Sequence, residues 1–109
     1  MPLLEVTLPI EIDALRLEAF CQKWQIRELA AFGSILRDDF RPGSDVDLLV
    51  SFAPEAQIGL LEHVTMQAEL AQLLGRTVDL VSRRAIERSA NPIRRRLILE
   101  SAIPLYVAG

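Results

Sequence analysis

Asp45 and Asp47 run straight into Leu48-Leu49-Val50, so two carboxylates open an otherwise apolar strand. Side chains alternate along a strand, and residues spaced by two share a face. The pair therefore projects from one face, in a place where a fold must not bury it unpartnered, because an unpaired charge in the core is expensive. Arg41-Pro42-Gly43-Ser44 is a turn signal that delivers the chain into this strand, Val46 to Phe52, and Ala53-Pro54 closes it. A second turn, Gly33-Ser34, stands a short loop upstream. Two carboxylates so placed bind a hard divalent cation well, and a Gly-Ser turn offers backbone N–H groups, a hydroxyl and the start of a short helix to a phosphate.

The rest of the chain alternates helices with strands. Thr7-Leu8-Pro9 predicts a helix entry, and Ile12, Leu15, Ala19 and Phe20 follow at helical spacing toward Trp24. Glu28 to Phe32 is a short apolar run ended by Gly33, which predicts a buried first strand, with Ser34 as N-cap of the short helix that follows. From Gln57 to Leu74 the residues Leu60, Leu61, Val64, Ala68, Ala71 and Leu74 form the apolar face of an amphipathic helix, with Gly75 as its C-terminal cap. Thr77 to Val81 is β-branched and short, a third strand that carries Asp79. Arg83 to Arg88 forms one or two helical turns, and Asn91-Pro92 starts a further helix with Ile93 and Leu97 on its inner side. Ile103 to Val107 closes the chain as a strand, and Pro104 makes it an edge strand. This order, α-β-α-β-α-β-α-β, predicts a small α/β domain spanning residues 1–109.

Composition narrows the function classes. Half of the 109 residues are apolar and a quarter are charged, the balance of a globular domain. The apolar runs are short of a bilayer span and the N-terminus lacks a basic signal region, so the expectation is a cytoplasmic protein without a membrane anchor. Cys21 and His63 each stand alone, which rules out an internal disulfide and a zinc cluster, and both read as structural residues. The net charge of −3 divides unevenly: residues 1–75 hold 5 basic and 12 acidic side chains, residues 76–109 hold 7 and 3, giving −7 and +4. The overall balance argues against duplex nucleic acid as the main ligand. Arg83, Arg84, Arg88, Arg94, Arg95 and Arg96 read either as a solvated helix face or as a docking surface for an acidic partner.

Three carboxylates remain to be explained. In the bland reading Asp45 caps the turn, Asp47 meets Arg37 or Arg41, and Asp79 pairs with Arg76 or Arg83. In the other, the second and third strands are neighbours and bring all three to one sheet edge, as ligands for a metal whose shell a triphosphate completes.

Taken together, Gly33-Ser34-x-x-Arg37, Ser44-Asp45-x-Asp47-Leu48-Leu49-Val50 and Val78-Asp79-Leu80-Val81 resemble the minimal nucleotidyltransferase (MNT) family of the DNA polymerase β-like superfamily. The resemblance runs from about residue 26 to the C-terminal strand. It implies a small nucleotidyltransferase fold of the α+β kind, a mixed four-stranded sheet backed by helices, with Mg²⁺ and a nucleoside triphosphate at the edge where the carboxylates gather. Carried over position by position, it implies that Asp45, Asp47 and Asp79 hold metal and serve catalysis, with Asp79 also activating the acceptor hydroxyl. Gly33 and Ser34 would hold the triphosphate, with Ser44 and Arg37 beside it. The family resemblance further implies transfer of AMP from ATP to a tyrosine hydroxyl of a partner HEPN-type ribonuclease toxin, so that the chain acts as its antitoxin. Leu36-Arg37-Asp38 departs from the Ala-Arg-Gly frequent in the family, and Asp38 adds negative charge near the expected phosphate site. That departure keeps a second reading open, a non-catalytic nucleotide-binding antitoxin that neutralises its partner by direct binding.

Overall fold

The computed structural model describes residues 10–38, 40–41 and 43–108. Helix α1 spans Ala14–Lys23, and Asp13 starts it by accepting the N–H groups of Leu15 and Arg16 at 3.1 and 3.2 Å. The helix entry expected at Thr7-Leu8-Pro9 lies outside the described residues. Strand β1 (Ile26–Phe32) begins two residues earlier than the apolar run predicts, because Gln25 turns the chain in a left-handed conformation. A single 3₁₀ turn follows (Gly33–Leu36), then β2 (Val46–Phe52), α2 (Leu60–Leu74), β3 (Val78–Ser82), the short α3 (Arg83–Glu87), α4 (Pro92–Ser101) and β4 (Ile103–Val107). Asn91 caps α4 by accepting the N–H groups of Ile93 and Arg94. Gly75, at φ 67°, ends α2 in the left-handed conformation that glycine adopts without steric cost.

The four strands form one mixed sheet in the order β3-β2-β1-β4. β1 pairs antiparallel with β2 and with β4, while β2 pairs parallel with β3 across the α2 crossover. The proline-bearing β4 lies at an edge, where a missing donor is tolerated. Strand alternation sorts the core into two layers. Leu29 and Ala31, Val46, Leu48 and Val50, and Val78 and Leu80 face α1 and α2, packing with Leu17, Phe20, Cys21, Met66 and Leu70. Ala30, Phe32 and Leu49 face the other way, onto Ile86 of α3 and Ile98 of α4. Burial pushes the Cys21 thiol up to about 12, an inert core residue as its isolation in the sequence suggests.

Two helices turn a different face to the sheet than the hydrophobic pattern predicts. In α2 the buried residues are Met66 and Leu70, with Ala71 and Leu74 half-buried against the same core, whereas Leu60 is 80% exposed and Leu61 79%. The inward face also carries His63 and Gln67, and the reason lies at the open edge of β3. Gln67 Oε1 accepts the Leu80 N–H at 2.9 Å, and His63 Nε2 donates to the Leu80 carbonyl at 2.7 Å. Polar side chains thus complete backbone groups that an edge strand leaves unpaired, at the cost of pointing leucines outward. In α4 the inner residue is Ile98, supported by Leu99 and Ala102, while Ile93 and Leu97 are 72% and 65% exposed.

Leu70→Ala should therefore lower unfolding free energy by about 2–5 kcal/mol, the range for truncating a fully buried leucine. Leu61→Ala on the same helix should stay within about 0.5 kcal/mol of wild type. Denaturant titrations that gave the two variants equal losses would contradict the orientation of α2.

Candidate active site

The carboxylates meet where β1 ends and β2 and β3 begin. In the parallel register Asp47 stands opposite Asp79, and in the antiparallel register Phe32 stands opposite Asp47. Asp47 and Asp79 both alternate with residues of the α2-side core, so both project from the sheet face that carries α3 and α4. Asp45 immediately precedes β2, as expected. Asp45 and Asp79 are exposed and Asp47 is half-buried.

Gly33 makes the close approach possible. Its φ of 73° is a left-handed conformation, and a Cβ there would collide with Asp47 Oδ2. The Ser34 backbone N–H donates to the Asp47 carboxylate, and the Ser34 hydroxyl donates to the Asp45 carbonyl at 3.0 Å. Ser34 is thus not the N-cap that its position suggests; Phe32 occupies that place without a side-chain bond. Its polar groups tie the turn to the carboxylate strand. Arg37 ends the 3₁₀ turn, its N–H donating to the Ser34 carbonyl at 3.0 Å. Ser44 closes a turn with Arg41, donating its N–H to the Arg41 carbonyl at 2.9 Å and accepting the Arg41 N–H on its hydroxyl at 3.1 Å.

Among the described residues no ion pair reaches Asp45, Asp47 or Asp79. Arg83 instead approaches Glu28, at 3.9 Å, and Arg76 donates to backbone carbonyls. Burial holds the Asp47 carboxyl above its ordinary value, the Ser34 N–H opposes this, the negative charges of Asp79 and Asp45 raise it further, and Arg37 offsets part of the effect. Six of the seven candidate residues are therefore linked through Asp47 or its hydrogen-bonded turn, and Ser44 joins them as the neighbour of Asp45. Asp38 is exposed and is not among the carboxylates that act on Asp47.

A divalent cation fits this donor set in part. Among the described residues no group of three or more His, Cys, Asp or Glu side chains is gathered tightly enough to hold an ion by itself. The donors are all hard oxygens, they repel one another, and Mg²⁺ binds through one or two carboxylates with waters and substrate phosphates completing its shell. A groove of about 1080 Å³ lined by Phe52, Ile58, His63 and Arg83 lies at the other end of β2 and contains none of the three aspartates. What the sequence did not disclose is Arg76, which it offered only as a counter-ion to Asp79.

The nucleotidyltransferase domain family matches residues 16–105, and the chain belongs to that family, in its minimal (MNT) form. A structure provisionally described as a minimal nucleotidyltransferase is 34% identical, with a TM-score of 0.61; the alignment covers 87% of this chain and 98% of that one. A toxin–antitoxin structure with AMP-PNP superimposes with a TM-score of 0.67 at 18% identity, covering 89% and 75% of the two chains. A tri-AMPylated HEPN toxin in complex with an MNT antitoxin, from Shewanella oneidensis, gives 0.58 at 18% identity, covering 87% and 70%. No curated protein matches the chain.

The folded protein binds the Asp47 proton more tightly than the unfolded chain does, so ionisation removes stability as pH rises from the ordinary carboxylate range through the raised value. Asp47→Asn, free of divalent cation, should be at least as stable as wild type at neutral pH, and the two should converge in acid below the ordinary carboxylate range. Thermal melts showing the variant clearly less stable at neutral pH would restore the structural ion-pair reading. Gly33→Ala should fold with reduced stability and lose nucleotide transfer, because the added methyl displaces Asp47; transfer at the wild-type rate would show that the close approach is dispensable.

Proposed function

We propose that this chain transfers AMP from ATP to a tyrosine hydroxyl of a partner HEPN-type ribonuclease toxin in the cytoplasm, and thereby acts as an antitoxin. One observation carries the reading: on a nucleotidyltransferase fold, three carboxylates from adjacent strands share one sheet edge with no ion-paired cation among the described residues. A structural cluster would be neutralised internally. This one is left to be neutralised from outside. The likeness to structures described as toxin–antitoxin assemblies, one with AMP-PNP and one with an AMPylated HEPN toxin, supports the choice of donor and partner.

Asp45 and Asp47, with Asp79, would hold Mg²⁺, which supplies charge neutralisation at the phosphates and at the entering and departing oxygens. The chain's own residues do the positioning. Gly33 lets the Asp47 carboxylate lie against the turn that would hold the triphosphate, Arg37 adds positive charge, and the two Ser34 hydrogen bonds fix Asp45 and Asp47 relative to each other. Asp79, on the neighbouring strand, accepts the hydrogen bond of the acceptor hydroxyl and takes its proton as the oxygen bonds to the α-phosphorus. The bond from that phosphorus to pyrophosphate breaks. A domain of this size offers little surface to enclose a small acceptor, so a folded protein that brings its own shape is the favoured substrate. The basic segment from Arg76 onward, with Arg94 and Arg96 exposed, supplies a docking face whose main effect is on encounter rate. The non-catalytic alternative drew its support from Asp38, which is exposed and does not act on Asp47.

Incubation with labelled ATP, Mg²⁺ and the HEPN-type protein encoded beside this chain should place label on that protein and abolish its ribonuclease activity. Asp79→Asn should reduce transfer by about a hundredfold or more, the usual worth of a positioned general base, while ATP binding changes only slightly. Toxin neutralisation that persists without ATP would move the assignment to the non-catalytic binder, and equal loss of ATP binding and transfer in Asp79→Asn would deny that residue a separate role.

A further inference from the structure

Arg76 lies between Gly75, the cap of α2, and the start of β3. Its Nη1 donates to the carbonyl of Arg41 at 3.3 Å and to that of Ser44 at 3.2 Å, and its guanidinium carbon sits 4.5 Å from the centroid of the Phe40 ring. The side chain is half-buried and makes no ion pair among the described residues. Both acceptor carbonyls belong to the one turn in which Ser44 and Arg41 bond each other reciprocally. The residue after that turn is Asp45. Its carbonyl is held by Ser34, and the next residue donates its N–H to the Thr77 carbonyl at 2.9 Å, one residue beyond Arg76.

We propose that Arg76 is a positioning residue that clasps the Arg41/Ser44 turn to the start of β3 and so fixes Asp45 beside Asp47. The geometry stands by itself, and its consequence for the reaction rests on the metal–nucleotide reading above. Among the described residues the cation that lowers the Asp47 carboxyl is Arg37, so Arg76 works through the carbonyls it binds. Arginine suits the task because a planar guanidinium donates in its plane while its face lies on an aromatic ring. Lysine keeps the charge and a donor but loses the flat stack.

Amide hydrogen exchange and Mn²⁺ binding test the clasp on the whole chain without a partner. In Arg76→Met the amides of Arg41 and Ser44 should lose protection by about tenfold or more, the worth of one charge-assisted hydrogen bond, while those of Leu48 and Leu80 keep theirs. Mn²⁺ affinity should fall by a similar factor, and Arg76→Lys should recover part of both effects. Unchanged protection at Arg41 and Ser44 would overturn the clasp. Protection lost equally across β2 and β3 would make Arg76 a general support of the fold, and a local loss with unchanged Mn²⁺ affinity would refute the positioning of Asp45. Should wild type itself bind no Mn²⁺, the metal reading fails, and with it the role assigned to Asp45, while the exchange pattern still decides the clasp.

Discussion

The parallel pairing of β2 with β3 sets Asp47 opposite Asp79, and the rest of the molecule is arranged around that like-charge contact. Like charges directly opposite one another destabilise a sheet. At the rim, near water, the cost of such a pair is roughly 1 kcal/mol, whereas each apolar side chain fully buried contributes about 1.5–3 kcal/mol. Val46, Leu48 and Val50 with Val78 and Leu80 line the opposite face of the same two strands, packed on Met66 and Leu70. The register is therefore set by five buried aliphatic residues, and the carboxylates between them are carried along. One periodicity serves both ends: alternate residues hold the sheet together and the ones between set Asp47 and Asp79 side by side.

How far this was legible in the sequence depends on whether the signal was local. Strand β2 agrees with its expected limits, because Pro-Gly before it and Ala-Pro after it are backbone signals that need no tertiary context. Gly75 as a cap and Asn91-Pro92 as a helix start agree for the same reason. The adjacency of β2 and β3 was one of two readings the sequence left open, and the parallel pairing decides for it. The faces of α2 and α4 were not legible. Hydrophobic spacing reports a preferred inner face only when apolar packing is what the inner face must do, and in α2 part of that face must instead satisfy the Leu80 backbone through His63 and Gln67. Nothing within the helix announces that the strand following it lies at a sheet edge.

The candidate site shows the same division. Asp45, Asp47 and Asp79 were legible because charge inside an apolar strand is conspicuous, and Gly33 because glycine after a strand marks a turn. The Ser34 reading went astray by one turn position: the 3₁₀ turn already begins at Gly33, with Phe32 in the cap place, so Ser34 lies inside it and its hydroxyl donates to the Asp45 carbonyl instead. Arg76 was read as a counter-ion since it lies close in sequence to Asp79, yet it precedes β3 and no ion pair joins the two among the described residues. Its guanidinium reaches across to a turn more than thirty positions upstream, a contact that spacing cannot express.

The location of the carboxylates also bears on what kind of acceptor the site suits. They stand at a sheet rim with Asp45 and Asp79 exposed, while the groove lined by Phe52, Ile58 and His63 lies at the far end of β2. A small acceptor gains little from an open rim, because positioning accounts for much of catalysis and an open surface immobilises a small molecule poorly. A protein acceptor is immobilised by contacts remote from the reacting atom, so the binding energy spent on orientation can come from other surfaces of the domain. On the proposed reading the rim supplies charge and two fixed strands, and the partner supplies the enclosure. The basic C-terminal segment then matters before the chemistry: its charge speeds encounter, and the carboxylate edge, anchored through Ser34 and the Arg41/Ser44 turn, is already in place when the acceptor arrives.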